Sequence, residues 1–376
     1  MRRVLYVTGT RADFGLMQRT LERIHADSRL ELELCVTGMH LIESYGHTVN
    51  EIQAAGLPIA GTIPVKLDGS DGRSMAHAIA DELHGMVELL ASRRPDIVLL
   101  LGDRGEMLAG ALAALHLNIP IAHIHGGELS GTVDEPVRHA ISKLSHYHFT
   151  STEGARERLL RMGERPEQVF VTGAPGLDGI IDEARADRDA LCRTYGFDVT
   201  RQIAMLVFHP VVQEAKQAAT QAQTLLETLL QHGYQIIAMM PNSDAGGSAV
   251  RQLLEDSRHQ QDIRVLTHLG RERYLDHLAM VDLLAGNSSS GIIEAASFGL
   301  PVINVGSRQS GRERSKNTFD AEPTAISLTH AIAQARNRGR SSCSNVYGDG
   351  RAASRITDLL AKLPLGPHLL SKQNAY

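Results

Sequence analysis

Gly286 to Arg308 reads GNSSSGIIEAASFGLPVINVGSR, and the way this stretch folds decides the architecture of the whole chain. The apolar run Val281–Ala285 leads into Gly286-Asn287-Ser288-Ser289-Ser290-Gly291. A helical pattern follows, is closed by Gly299, and Pro301 opens another short apolar run. The spacing predicts strand, hydroxyl-rich turn, helix, strand. A turn of this kind lies beyond the carboxyl end of a parallel strand, where an open α/β sheet keeps its ligands. The helix after it offers unpaired N–H groups and the positive end of its dipole. A phosphate is expected there. Ser288, Ser289 and Ser290 add hydroxyl donors, and Gly286 and Gly291 let the backbone approach closely. Glu294, one helical turn in, faces back as an acceptor for sugar hydroxyls. Helix capping would use one serine, whereas this turn places three between two glycines.

The same unit recurs along the chain, which fits its size. With 376 residues, 43% apolar and 22% charged, the chain has enough material for two cores, and two domains of similar size are expected. We place the boundary at the breaker cluster Gly173-Ala174-Pro175-Gly176, giving domains 1–175 and 176–376, with a helix near Arg355–Leu363 that returns to pack on the first. A net charge of −5 and the absence of Trp argue against a nucleic-acid surface. No uncharged apolar stretch approaches the length of a membrane span, and the run Val4–Val7 is too short for a signal peptide. A cytoplasmic protein is expected. Cys35, Cys192 and Cys343 are odd in number and unpatterned, so they read as incidental thiols.

Each apolar run delivers a polar turn. Val4–Val7 ends in Thr8-Gly9-Thr10-Arg11-Ala12-Asp13-Phe14-Gly15, ahead of a helix marked by Met17, Leu21 and Ile24. This turn lacks G-x-G-x-x-G, so a nicotinamide or flavin cofactor is not expected. Arg11 within it is a forked donor for phosphate or carboxylate, or else a solvated surface arginine. Ile97–Leu101 is a buried-strand run ending in Gly102-Asp103-Arg104-Gly105-Glu106. Asp103 is a site residue with Arg104 beside it, or the cap of the next helix.

The most polar turn follows the strand Ile119–Ile124: His125-Gly126-Gly127-Glu128 and, further on, Asp134-Glu135-Pro136 opening a helix that carries Arg138 and His139. His123 and His125, at i and i+2, would share one strand face and could supply two metal ligands, but no third follows at diagnostic spacing. An acid/base cluster uses the same residues more economically, and no metal is expected. In the second half, Ile203–Phe208 delivers His209-Pro210. Gln235–Met240 reaches Pro241-Asn242-Ser243-Asp244, which places Asn242 among the candidate binding residues. Arg308 follows the Pro301–Val305 strand as a candidate phosphate contact. His209 is either a site residue or a buried or capping histidine.

TGTRADFG (Thr8–Gly15), VTGMH (Val36–His40), GDR (Gly102–Arg104), HIHGGE (His123–Glu128), the D-E-x-x-R-H run from Asp134, FHP (Phe208–Pro210), GNSSSGIIE (Gly286–Glu294) and VGSRQ (Val305–Gln309) occur in this order over both halves. The chain in this respect resembles the hydrolysing UDP-N-acetylglucosamine 2-epimerases of sialic acid synthesis. The resemblance implies a glycosyltransferase-B-like architecture: two Rossmann-like, doubly wound α/β domains facing a cleft, assembled as a homodimer or homotetramer, with no cofactor or catalytic metal.

It also implies the reaction of UDP-N-acetylglucosamine with water to give N-acetylmannosamine and UDP, through elimination to a 2-acetamidoglucal-like intermediate and then hydration. By similarity, Ser288, Ser289 and Glu294 hold phosphate and ribose, and Arg11 and Arg308 take the pyrophosphate charge. Asp103, Glu128, Asp134 and His209 surround the hexose. Many epimerases of the wider family carry glutamate where this chain has His125, so the imidazole stands either as the base or as a positioning group. The alternatives are the hydrolysing 2-epimerase of UDP-N,N'-diacetylbacillosamine that serves legionaminic acid, a nonhydrolysing 2-epimerase, and a UDP-sugar glycosyltransferase.

Overall fold

The computed structural model describes the chain apart from residues 67–71, 130–133, 186, 212–213, 242–246, 268 and 376. It divides into two compact units, Met1–Asp178 with Tyr347–Tyr376, and Gly179–Val346. The segment from Tyr347 belongs to the first unit; the division expected from sequence runs the second half to residue 376, with its helix near Arg355–Leu363 returning to pack on the first. Helix Ala352–Lys362 lacks a capping side chain of its own, and Asp178 supplies one. Its carboxylate accepts from the amides of Ala352 (2.9 Å) and Ala353 (2.7 Å). Ala352, Ile356 and Leu360 then enter the core of the first unit.

Among the described residues, the first unit holds a seven-stranded sheet, β1 (Arg2–Thr8), β2 (Leu30–Thr37), β3 (Ile59–Ile63), β4 (Ile97–Leu101), β5 (Ile121–Ile124), β6 (Tyr147–Thr150) and β7 (Val169–Val171), in spatial order β3-β2-β1-β4-β5-β6-β7. Every pairing is parallel. The two-residue period of the strands explains why nearly continuous apolar runs are needed. Val4, Tyr6, Ile97 and Leu99 face one layer, with Met17, Leu21 and Ile24 of helix Arg11–Ala26. Leu5, Val7, Val98 and Leu100 face the other, with Met86 and Leu90 of helix Gly72–Arg93 and Met107 of helix Gly105–His116.

The second unit repeats the plan with β8 (Ile203–Val207), β9 (Gln235–Met239), β10 (Ile263–Leu266), β11 (Leu283–Gly286), β12 (Val302–Val305) and β13 (Thr318–Ala321), ordered β10-β9-β8-β11-β12-β13 and parallel throughout. Both units are doubly wound and Rossmann-like. In each, strand order reverses beside the first strand, between β1 and β4 and between β8 and β11, and the loops leaving those pairs diverge. The edge strands β3 and β13 are the elements that sequence reading passed over. Their partly exposed residues give no continuous apolar run. Among the described residues, no helix is long and apolar enough to cross a membrane.

Candidate active site

The two reversal points carry the polar turns. In the first unit, β1 ends at Thr8 and the Asp13 carboxylate gathers the turn. It accepts from the amides of Gly9 (3.1 Å) and Thr10 (2.7 Å) and from the hydroxyls of Thr10 (2.9 Å) and Thr8. Thr10 and Asp13 form a capping box at the start of helix Arg11–Ala26. Burial raises the Asp13 carboxyl to about 6 despite these donors. Arg11, the first helical residue, lies at the surface and pairs with Glu51 at 2.9 Å.

Past β4, Arg104 occupies the N-cap position and its guanidinium turns to Glu106 at 2.9 Å. Asp103 does not cap this helix. Its carboxylate instead forms an ion pair with Arg138, whose side chain is only 4% exposed. The same guanidinium reaches the His125 carbonyl at 3.1 Å and the Glu128 carboxylate at 3.5 Å. Glu128 also accepts from the Ser151 hydroxyl and lies 3.6 Å from the His125 ring nitrogen. Helix Asp134–Leu144 thus supplies one cation around which Asp103, His125 and Glu128 converge. The sequence alone puts Arg138 on that helix and gives it no part in the site. The Asp134 side chain lies outside the described residues, although its backbone opens the helix.

The expectation that His123 and His125 share a strand face is corrected. The strand ends at Ile124, and His125 adopts a left-handed backbone with φ of 64°. His123 stays inside the sheet, with Nε2 at 2.7 Å from the Gly102 carbonyl and Nδ1 at 3.1 Å from the Ser142 hydroxyl. Complete burial lowers its pKa to about 3, so the ring is neutral, and both nitrogens are engaged within the fold.

In the second unit, the turns after β8 and β11 are joined by one side chain. Asn287 Oδ1 accepts from the His209 amide at 2.7 Å, and Asn287 Nδ2 donates to the His209 carbonyl at 2.7 Å. The Asn287 carbonyl accepts from Arg308 (3.1 Å) and Gln309 (2.9 Å), which follow β12. Gly286 holds φ of 139°, and a Cβ there would lie 2.0 Å from the Val207 carbonyl oxygen, so only glycine lets β11 approach β8 this closely.

Ser288 caps the short helix Ser289–Ile293 by accepting from the Ser290 amide at 3.3 Å. Ser290 is buried, bonded to the Tyr274 hydroxyl and, at 3.0 Å, to the Ser288 hydroxyl. That leaves Ser288 and Ser289 as the half-buried hydroxyls of the turn. Glu294, at the end of this helix, meets Arg271 at 3.4 Å, and burial raises its carboxyl above the ordinary range. The motifs that carry Asn287 and Gln309 are legible in the sequence, but not the bonds these residues make here, and Tyr274 gives no sequence signal at all. The signal available for Asn287 was its place directly after Gly286. Asn242 lies outside the described residues.

The first unit thus gathers two carboxylates and a histidine round a guanidinium, and the second carries a serine turn backed by an arginine. A family model described as UDP-N-acetylglucosamine 2-epimerase matches residues 22–361. The chain belongs to the UDP-N-acetylglucosamine 2-epimerase family. This UDP-sugar 2-epimerase is 51% identical over 376 residues, all of both chains, to the UDP-N,N'-diacetylbacillosamine 2-epimerase (hydrolyzing) of Legionella pneumophila. It is 34% identical to the UDP-N-acetylglucosamine 2-epimerase of Neisseria meningitidis, over 93% of this chain and 92% of that one. Its fold matches the crystal structure of UDP-GlcNAc 2-epimerase from Neisseria meningitidis bound to UDP-GlcNAc. The TM-score is 0.81 at 17% identity, covering 96% of this epimerase and 100% of that chain.

Proposed function

We propose that this epimerase hydrolyses UDP-N,N'-diacetylbacillosamine to UDP and 2,4-diacetamido-2,4,6-trideoxymannose. The observation that carries the substrate is the 51% identity, without truncation on either side, to a hydrolysing enzyme of that specificity, against 34% to an enzyme named for UDP-N-acetylglucosamine. From sequence, N-acetylglucosamine stood first and the diacetamido sugar second. The similarity supports the reverse order.

The chemistry follows from the substrate. The hydrogen on carbon 2 has no adjacent carbonyl and is weakly acidic, so its removal is coupled to breaking the carbon 1–oxygen bond to UDP. A base takes the proton, a carbon 1–carbon 2 double bond forms, and UDP departs. Water then adds its hydroxyl to carbon 1, and a proton returns to the opposite face of carbon 2. Asp103, His125, Glu128 and Asp134 are the acid/base groups in this reading. Arg138 aims Asp103 and Glu128 by pairing with both carboxylates. Ser288, Ser289, Arg11 and Arg308 take the departing diphosphate, whose charge grows as the bond breaks, and Glu294 takes ribose hydroxyls. His209 stands beside the hexose, on the backbone clamped by Asn287. The assembly is a homodimer or homotetramer, which light scattering after gel filtration tests.

Proton NMR in deuterium oxide, with each UDP-sugar in turn, decides the substrate. The expected result is UDP and a free diacetamido-trideoxymannose carrying deuterium at carbon 2, at higher kcat/KM than N-acetylmannosamine forms from UDP-N-acetylglucosamine. The opposite order of kcat/KM overturns the substrate. An epimer still attached to UDP overturns the hydrolytic course.

A further inference from the structure

Helix Asp134–Leu144 delivers Arg138 from its first half, and its far end is held by a segment more than two hundred positions away in sequence. The last carbonyls of a helix have no partner within it and carry the negative end of its dipole. Here, Lys372 Nζ donates to the carbonyls of Ser142 (3.0 Å), Lys143 (2.9 Å) and Ser145 (2.5 Å). It also pairs at 2.7 Å with Glu164, whose side chain is fully buried. Glu164 in turn binds Lys143 at 2.7 Å and His148 at 2.9 Å. Beside Lys372, Asn374 accepts from Lys143 at 2.6 Å, and the Ala375 amide donates to the Gly163 carbonyl at 2.8 Å. Leu369 is anchored in the core of the first unit. Residues 369–375 are thus a strap across the end of this helix.

A continuous path leads from the strap to the acid/base cluster. Ser142, whose carbonyl Lys372 holds, touches His123 Nδ1 with its hydroxyl at 3.1 Å. His123 Nε2 donates to the carbonyl of Gly102 at 2.7 Å, and Asp103 is the next residue. There is no slack at the middle of this path: a Cβ on Gly126 would lie 2.9 Å from the Ser142 hydroxyl and 3.0 Å from His123 Nδ1. Ser142 also lies one helical turn from Arg138, so any slide of the helix along its axis moves both partners of the Arg138–Asp103 pair.

We propose that Lys372 is a positioning residue for the epimerase reaction. Through the end of helix Asp134–Leu144, Ser142 and His123, it sets the placement of Asp103 against Arg138. This inference rests on the function proposed above for the chemistry, and on geometry alone for the placement.

A double-mutant cycle with Lys372→Met and Ser142→Ala tests it. Lys372→Met is expected to lower kcat about tenfold, because small misplacements of reacting groups cost rate before they cost binding. KM and UDP affinity should stay within about twofold. Ser142→Ala should lower kcat in the same way, and the double variant should be no slower than the slower single one. A kcat within twofold of wild type for Lys372→Met, or effects that multiply, overturns the proposal. If the methionine variant does not fold, Lys372→Gln, which keeps a donor, takes its place in the same cycle. Hydrogen exchange of the Asp103 and Arg104 amides needs no substrate. It should quicken at least about fivefold in Lys372→Met, and unchanged exchange overturns the path. Should wild type turn over neither UDP-sugar, the proposed function falls and the exchange result alone judges this inference.

Discussion

Asn287 grips the backbone of His209 from both sides, its oxygen accepting from the His209 amide and its nitrogen donating to the His209 carbonyl, each at 2.7 Å. The two residues follow β11 and β8, the neighbouring strands at which the second sheet reverses its order. One amide side chain therefore fixes the spacing of the two turns that carry the serines and the histidine.

Asn287→Asp keeps the shape but replaces the donor with a second carboxylate oxygen against the His209 carbonyl. We expect UDP affinity to fall at least about tenfold. Unfolding stability should drop by about 1–3 kcal/mol, the cost of leaving buried polar groups unmatched. Calorimetric titration with UDP and denaturant unfolding of the same preparation check both numbers.

Arg138→Met leaves the Asp103 and Glu128 carboxylates without their shared cation. Removing one member of a buried ionic cluster costs roughly 3–5 kcal/mol, and kcat should fall at least about a hundredfold while UDP binding, for which Arg138 is not among the proposed contacts, changes little. Steady-state kinetics with parallel UDP titration separates these effects. A variant that loses UDP affinity and turnover in equal measure would remove Arg138 from the proposed acid/base cluster.

Glu82, on helix Gly72–Arg93, is buried beneath Thr37, whose hydroxyl donates to it at 3.3 Å. Burial, with Glu106 nearby, raises its carboxyl from 4.5 to about 8. The folded protein therefore binds this proton more tightly than the unfolded chain across that window. Its stabilising contribution is complete below about pH 4.5 and is lost as pH rises through about 8. Glu82→Gln should flatten this part of the profile, so the melting temperature of the variant gains on wild type by several degrees between pH 5 and 9. Thermal melts at half-unit pH steps would show the two curves converging at the acid end; parallel curves would refute the assignment.

Gly286→Ala places a methyl 2.0 Å from the Val207 carbonyl oxygen at a φ of 139°. Strain and displacement of β11 from β8 together should cost roughly 3 kcal/mol or more. The readout is denaturant unfolding, and a variant within 1 kcal/mol of wild type would mean that the strands part more easily than their register implies.

The strand–turn–helix rhythm was legible in the residues themselves. A parallel strand covered on both faces needs an unbroken apolar run such as Ile97–Leu101, and the polar turn after it reads as a sharp change of composition. The glycine and serine turn at Gly286–Gly291 could be located for the same reason, since a backbone that approaches its neighbour or a ligand closely demands particular residue types. Tertiary structure alone decided what those turns contact. Asp103 reads equally well as a helix cap and as a site residue until Arg138 arrives beside it from a helix thirty-five positions away. Ser290 reads like Ser288 until Tyr274 turns its hydroxyl inward. His125 reads as sharing the strand face of His123 until the chain bends at it. The helix near Arg355–Leu363 shows its spacing and its return in the sequence, but the strap through Lys372 depends on contacts between segments more than two hundred residues apart, which local periodicity does not encode. Local pattern carries the period of an element and the chemistry of its ends; partners across the fold are set by packing, which brings remote side chains to one place.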